Sequence, residues 1–139
     1  MFYSRLIKLQ LKNNDLVDVE MQIGNLGNME RRSTYYACRM FGDQNITSGR
    51  YQNLNRVIAI NVLDFNRIKH IKRYHTKFRL RETQENIDLT DAIEIHFIEL
   101  PKLKLEMASY IVRAAEKNSI GETGGYGDLT VMVMVGQYL

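Results

Sequence analysis

The sequence is poor in the residues on which several common kinds of small protein depend. Cys38 is the single cysteine in 139 residues, which excludes an internal disulfide framework and cysteine-rich zinc sites. There is one proline and no tryptophan. No apolar run reaches the roughly 18 residues that a membrane-spanning helix needs. Arg5 and Lys8 interrupt the first apolar stretch, which is therefore no signal peptide. These absences predict a cytoplasmic protein with no membrane partner.

The charge balance and composition are those of an ordinary globular domain. Apolar residues make up 45% of the chain and charged residues 25%, and the formal net charge is +3. A chain of this length can bury a core without disulfides or a structural metal. The mildly basic balance permits a nucleic-acid partner without indicating one. The sequence leaves open whether the chain forms a homo-oligomer.

The hydropathy pattern predicts a sheet with helices packed on it. Strands are predicted over residues 6–11, 16–23, 57–65, 78–80 and 93–100, and helices over residues 29–45 and about 103–117. The first two strands are joined by a turn sequence, and the last two are predicted to form a second antiparallel pair. The run 57–65 is nearly continuous in apolar residues, which is typical of a central strand buried on both faces. This element order predicts a mixed α/β fold.

Alternating polar residues on the second strand form the most informative pattern. Asp18, Glu20 and Gln22 fall on one face, because successive side chains of a strand point to opposite faces. Mg²⁺ is bound by one or two carboxylates together with water and phosphate oxygens, so the three side chains are candidate ligands. The same alternation is common on solvated faces of antiparallel sheets. On pattern alone that second explanation is the more frequent one.

The first helix and the following basic segment hold further candidates. Arg32, Tyr35 and Arg39 form a stripe beside the apolar face of the helix, and Gln44 continues that apolar face. The densest basic cluster lies at residues 69–77, where lysine and arginine side chains suit either DNA phosphates or a solvated loop.

The remaining reactive residue types are less informative. The three histidines, His70, His75 and His96, are too scattered for a zinc motif, and His96 is predicted to be a structural or surface residue rather than a ligand. Cys38 has no paired histidine near it in sequence and is predicted to be a packed thiol.

Five blocks between about residues 5 and 102 resemble one protein family in their order and spacing. The blocks are VEMQ, NMERRSTYYACRMFGDQ, VIAINVLDF, YHTKFRLRE and EIHFIELPK. The sequence resembles the PD-(D/E)xK nuclease family transposases, also called recombination-promoting nucleases. This resemblance implies a restriction-endonuclease-like core, a mixed sheet flanked by helices. It also implies a Mg²⁺-dependent DNA endonuclease linked to transposition and recombination.

The family pattern assigns roles to several residues. Members carry an Asp on one strand and a Glu-x-Gln on the next, which Glu20 and Gln22 match. The resemblance implies that Glu20 binds the metal ion and that Gln22 orients the attacking water or the scissile phosphate. Arg32, Tyr36 and Gln44 match the helix pattern. DNA contacts are expected at Arg32 and Gln44, and at Lys72 and Arg73 in the basic cluster.

The chain also departs from the family pattern. The position of the first Asp, about 14 residues before Glu20, is occupied by Leu6. Asp18 is the acid that could replace it as a second metal ligand, whereas Asp15 is predicted to lie too far away in the turn. The family has a helix and a strand before this point, so the resemblance predicts that both are missing here.

The end of the chain differs from the rest, and the sequence leaves two functions open. The resemblance fades after about Lys102, and residues 121–127 are rich in glycine. Residues 1–118 are therefore predicted to form a truncated nuclease-like domain, and 119–139 a divergent tail. Two functions stay open: an active endonuclease, or an inactive remnant that at most binds DNA or a partner.

Overall fold

The computed structural model describes residues 3–102, with side chains from Ile7 onward. These residues all belong to one compact unit, Met1–Lys102. The predicted second helix at 103–117, the glycine-rich segment and the domain boundary at residue 118 lie outside the described residues. The absence of an earlier helix and strand of the family also stays a prediction.

Five strands and one α-helix make up the described part of the chain. They are β1 (Tyr3–Gln10), β2 (Leu16–Ile23), α1 (Met29–Gly42), β3 (Val57–Leu63), β4 (His75–Arg81) and β5 (Asp88–Glu99), with short 3-10 helices at Tyr51–Asn53 and Leu100–Lys102. The predicted strands and first helix are confirmed, and β2 has the predicted bounds. The helix ends at Gly42, earlier than predicted, where a residue of low helix propensity stands. No helix among the described residues is long and apolar enough to span a membrane.

The strands form one mixed sheet in the order β1-β2-β3-β5-β4. The two outer pairs are antiparallel, and the two inner pairs, β2 with β3 and β3 with β5, are parallel. Every residue of β3 is buried, as expected for a central strand. Since β2 and β3 are parallel, the chain must cross over between them, and α1 lies in that connection. The predicted mixed α/β class is confirmed.

The turn between β1 and β2 is held by local bonds and by an ion pair. Asn14 adopts a left-handed backbone with φ of 71° and donates its backbone N–H to the Leu11 carbonyl at 2.9 Å. Asp15 is buried and accepts two bonds from the Arg56 guanidinium, at 2.6 and 3.1 Å. Arg56 directly precedes β3, so this ion pair ties the start of β2 to the start of β3. The carboxylate of Asp15 is therefore used in the scaffold.

The apolar side of α1 packs on one face of the sheet. Met29 is fully buried with Leu63 and Phe97, and Ala37 is buried against Val57. The prediction of a packed thiol in this helix is wrong, because Cys38 is exposed. The position of Cys38 off the buried side places its thiol in solvent.

Candidate metal-binding site

The three polar side chains of β2 lie on a buried face. Asp18, Glu20 and Gln22 are 4%, 3% and 1% exposed. The explanation of their alternation as a solvated sheet face is therefore wrong. α1 packs on β3 and β5 on the same face, and its Arg32 contacts Glu20. Buried carboxylates need hydrogen-bond partners or a bound cation, so these residues are candidates for a metal site.

The strand register identifies the neighbours of Glu20 on both sides. Leu6 of β1 and Asn61 of β3 stand opposite Glu20, while Lys8 and Ala59 stand opposite Asp18. The position predicted for the missing first Asp is thus directly beside Glu20 in the sheet. A leucine at that register position supplies no metal ligand. Asp18, two residues before Glu20, is the other carboxylate on this face of β2.

Glu20 forms an ion pair with an arginine of α1. Its Oε1 accepts a bond from the Arg32 guanidinium, and the Glu20 side chain is almost fully buried in this contact. Arg32 lies in the first turn of α1, which begins at Met29 soon after β2 ends. The short connection therefore brings the arginine back over the strand that carries its partner. The predicted contact of Arg32 with DNA stays a prediction, and its guanidinium contacts Glu20 here.

Two oxygen atoms beside this ion pair have no hydrogen-bond partner among the described residues. They are Asp18 Oδ1 and Gln22 Oε1, and both are buried. The Gln22 Nε2 donates to the Gly24 carbonyl at 3.1 Å, which leaves the amide oxygen as the free acceptor. A buried oxygen without a partner costs about 1–3 kcal/mol, so two of them on either side of the Glu20 carboxylate point to a ligand bound between them.

The surroundings of Asp18 disfavour its ionised form. Burial and, second to it, the nearby Glu20 carboxylate together raise the pKa of Asp18 to about 6, while Lys8 acts in the opposite direction. A cation placed between the two carboxylates would reverse this effect, because an opposite charge favours the ionised form. The site therefore has electrostatic reason to bind positive charge.

This donor set fits a hard divalent cation. No three His, Cys, Asp or Glu side chains within the described residues form a complete metal cluster. Mg²⁺ does not require one, because it usually keeps several waters and takes one or two carboxylates from the protein. Asp18 and Glu20 supply two carboxylates, and Gln22 supplies a neutral oxygen on the same face. Soft transition metals that prefer thiolate or imidazole find no such ligand on this face.

Asn61 is a buried residue of the same face that the sequence interpretation missed. Its Nδ2 donates to the Ser33 hydroxyl at 2.7 Å and to the His96 carbonyl at 3.0 Å. These bonds join β3 to α1 and to β5 beside Glu20. The signal was present in the sequence, because Asn61 is the one polar residue of the seven in β3.

Two of the three histidines, His75 and His96, come together on the other face of the sheet. His75 Nε2 lies 2.7 Å from His96 Nδ1, and His96 Nε2 lies 2.6 Å from Glu94 Oε1. Arg79 donates to Glu94 at 2.6 Å. Burial lowers the pKa of His96 despite the neighbouring carboxylate. His96 is buried within this group, so of the two predicted places the surface one is wrong. His75 and His96 are far apart in the sequence but adjacent in the fold because β4 and β5 are paired.

The two basic residues predicted to bind DNA are exposed in the loop that joins β3 to β4. Lys72 and Arg73 both lie at the surface, and Arg73 Nε donates to the His75 carbonyl at 3.1 Å. This loop leaves β3 at Leu63, which stands opposite Gln22 in the register. The loop therefore starts at the end of the sheet that carries the site. Contact of Lys72 and Arg73 with DNA stays a prediction.

Gln44, also predicted to contact DNA, is bonded to the backbone before β3. Its Nε2 donates to the Asn55 carbonyl at 2.9 Å, and its Oε1 accepts from the Asn55 N–H at 2.8 Å. This pair of bonds ties the chain beyond α1 to the entry of β3. Both hydrogen-bonding groups of the amide are occupied in this contact.

We expect Gln44→Ala to lower the free energy of unfolding by about 1–3 kcal/mol, because both Asn55 groups lose their partner. Urea denaturation of the variant measures this effect. The matched control is Gln52→Ala, since Gln52 is exposed and its side chain has no bond to a strand entry within residues 7–102. An equal loss in both variants would contradict a specific role for the Gln44 contact.

The comparison with known proteins supports the same interpretation. The family model described as PD-(D/E)XK nuclease family transposase matches residues 6–116. The match extends beyond Lys102, so the prediction that the resemblance fades there is wrong. No curated protein and no solved structure matches the chain. PD-(D/E)XK nucleases act on DNA and generally use divalent metal ions, and this family links nuclease chemistry to transposition. With most of its length covered by that family model, the chain belongs to the PD-(D/E)XK nuclease family transposases.

Proposed function

We propose that this chain is a Mg²⁺-dependent DNA endonuclease that hydrolyses phosphodiester bonds in transposition and recombination. The observation that carries the proposal is the buried row on β2. There, the Asp18 and Gln22 oxygens without partners flank the Glu20 carboxylate. Packing of the apolar core does not explain why three oxygen-bearing side chains are buried in a row among the described residues. A cation with bound water would satisfy them.

The two carboxylates are the groups proposed to hold the metal ion. Glu20 is the central ligand, and Asp18, two residues before it on the same face, is the second. A divalent cation bound at this position would neutralise the phosphate charge and activate a water molecule. Asp18 thereby takes over a role for which Leu6 has no suitable atom.

Gln22 is proposed to orient the attacking water. Its Nε2 donates to the Gly24 carbonyl, so the atom it turns toward the site is Oε1. An amide oxygen accepts a hydrogen bond from water but cannot bond to an ionised phosphate oxygen, which has no hydrogen to donate. This geometry favours the water over the scissile phosphate as the partner of Gln22. An amide is also a poor base, so its role is positional.

Arg32 is proposed to exchange partners when substrate binds. It neutralises Glu20 in the described structure. Once a cation occupies the carboxylates, the guanidinium no longer has to balance Glu20 and is available to a backbone phosphate. Arginine binds phosphate through paired N–H donors, which fixes position without selecting a base sequence.

A second candidate function is an inactive protein that binds DNA without cutting it. Leu6 favours this alternative, because the strand next to Glu20 carries no acid at that position. The exposed Lys72 and Arg73 would then supply salt-dependent binding. The two functions differ in one measurable property, which is metal-dependent strand cleavage.

Nicking of supercoiled plasmid by the purified chain tests the proposal. We expect open-circular product with Mg²⁺, none with a chelator, and none from the Glu20→Gln variant, which keeps the size of the side chain. Glu85→Gln, at an exposed glutamate, is the matched control and should nick like the unmodified chain. Nicking that persists in Glu20→Gln would remove the proposed mechanism. Binding that weakens with salt, without any nicking, would establish the inactive alternative.

A further inference from the structure

An exposed aromatic residue lies between two arginines on α1, the helix whose first turn contacts the site. Tyr35 is 58% exposed, and its ring meets the Tyr36 ring edge-on, with 5.5 Å between centroids and 66° between planes. Arg32 and Arg39 lie on the same side of α1, three residues before and four residues after Tyr35. We call Arg32, Tyr35 and Arg39 the outer stripe of α1. Neither the fold nor the metal site requires an exposed tyrosine here.

The outer stripe begins at the site and leads away from it. Arg32 contacts Glu20, while Tyr35 and Arg39 lie about 5 and 11 Å farther along the helix axis at 1.5 Å per residue. A nucleic-acid strand with one phosphate near Glu20 can therefore follow α1. Along that path it would meet first an aromatic ring and then a second guanidinium.

The chemistry of the stripe suits an unpaired DNA strand. A tyrosine ring stacks on the face of any base, but only when that base is not already stacked inside a duplex. Arg39 forms a long ion pair with Asp43, at 3.5 Å, in which both side chains are mostly exposed. Such a pair contributes little to stability, so a phosphate can compete for the arginine. Arginine beside an exposed aromatic ring is the combination found in single-strand channels.

We propose that the outer stripe of α1 binds an unpaired strand of DNA next to the cleavage site, with Tyr35 stacking on a base and Arg39 contacting a phosphate. This inference rests on the proposed function, since the strand enters from Glu20. It adds that the substrate is single-stranded or locally opened DNA. The Tyr36 ring contacts the Tyr35 ring edge-on.

Fluorescence anisotropy separates stacking from general attraction to DNA. The probe is a labelled 20-nucleotide strand, alone or annealed to its complement, in buffer with a chelator so that no cleavage occurs. We expect Tyr35→Leu to weaken single-strand binding at least about five-fold, which corresponds to the lower end of measured stacking contributions. Duplex binding should change less than two-fold. Tyr35→Phe keeps the ring and should bind the single strand like the unmodified chain.

Two controls make the result specific. Tyr51→Leu removes another exposed tyrosine, which lies outside α1, and should leave single-strand binding unchanged. Arg39→Gln should reduce the slope of log affinity against log salt by about 0.7 for the single strand. Circular dichroism on each variant verifies that α1 is retained.

The outcomes distinguish this inference from the proposed function. Equal losses for single strand and duplex in Tyr35→Leu, no loss at all, or no single-strand binding by the unmodified chain would each overturn it. These titrations contain no metal and measure no cleavage. A chain that fails to nick plasmid but shows the tyrosine effect would therefore disprove the endonuclease and keep the strand-binding surface.

Discussion

Replacing Asp18 by asparagine is expected to raise the free energy of unfolding at pH 8 by up to about 3 kcal/mol. The pKa of Asp18 is about 6 in the folded chain, against 3.8 as the ordinary value. Each pKa unit corresponds to about 1.4 kcal/mol, so the rise in the pKa of Asp18 means that keeping it ionised in the folded state costs about 3 kcal/mol. Asparagine keeps the shape and removes the charge. A gain on removing a buried carboxylate is typical of a binding site, where stability is given up for function.

The size of this gain in stability depends on pH. Below pH 3.8 the carboxyl is protonated both folded and unfolded, so the substitution should have almost no effect on stability. Between pH 3.8 and 6 the unfolded chain loses the proton first, and the gain grows as pH rises. Above pH 6 it is complete. Urea denaturation of both chains at pH 4, 5, 6, 7 and 8 measures the difference, and any acid sensitivity of other groups cancels.

An exposed aspartate serves as the control for charge alone. Asp43→Asn removes a carboxylate of the same kind whose side chain is 71% exposed, and should show no such pH-dependent gain. Mg²⁺ should raise the melting temperature of the unmodified chain and not of Asp18→Asn, because binding to the folded state alone stabilises it by mass action. Equal Mg²⁺ effects in both chains would contradict Asp18 as a ligand.

The second large effect is expected at Glu99, which should lose about 3–5 kcal/mol of stability when replaced by alanine. Glu99 is fully buried. Its Oε1 accepts the backbone N–H groups of Arg67 and Ile68 at 2.5 and 2.9 Å, and its Oε2 accepts from Lys102 Nζ at 2.5 Å. Alanine would leave the two backbone donors without an acceptor and would leave the Lys102 ammonium with the Ile68 and Ile71 carbonyls but no counter-charge. Removing one member of a buried ion pair is strongly destabilising.

Glu82 provides a matched comparison for this prediction. Glu82 also accepts two backbone N–H groups, those of Gln84 and Glu85 at 2.9 and 2.5 Å, but it is exposed. Because water replaces its bonds, Glu82→Ala should lose less than about 1 kcal/mol. Urea denaturation at pH 7 measures both variants. Similar losses would show that burial does not set the contribution of these carboxylates.

Glu99 also bears on function through the loop that it holds. Its contacts join the end of β5 to the start of the segment that carries Lys72 and Arg73. If that segment binds DNA, Glu99→Gln should weaken binding, because the neutral amide holds Lys102 less firmly. The sequence interpretation treated Glu99 only as part of a strand. Its two backbone partners are about 30 residues away in the chain, so no local pattern reveals them.

Local pattern was sufficient for the elements and for part of the site. Alternation over β2, the continuous apolar run of β3 and the apolar face of α1 each follow from periods of two or about 3.6 residues. The placement of Asp18, Glu20 and Gln22 on one face follows from the same period. Counting back from Glu20 also located Leu6, which the register confirms as its neighbour.

The burial of that face could not be derived in the same way. Alternating polarity has the same period whether the polar side is covered by water or by a helix. Only the tertiary structure, in which Asp18, Glu20 and Gln22 are buried and Arg32 of α1 reaches Glu20, decides between these cases. The use of Gln44 on the Asn55 backbone is likewise a tertiary contact. Exposure of Cys38 depended on which side of α1 faces the sheet.

The sequence by itself determined the order of the elements, the family and the row of polar residues on β2, because these depend on spacing along the chain. The tertiary structure alone decided the chemistry of that row. It buried two carboxylates side by side, left two oxygens without partners and raised the pKa of Asp18. It also brought His75 to His96 and Glu99 to the loop after β3. Burial and pairing arise from segments far apart in the chain, and a local pattern does not contain them.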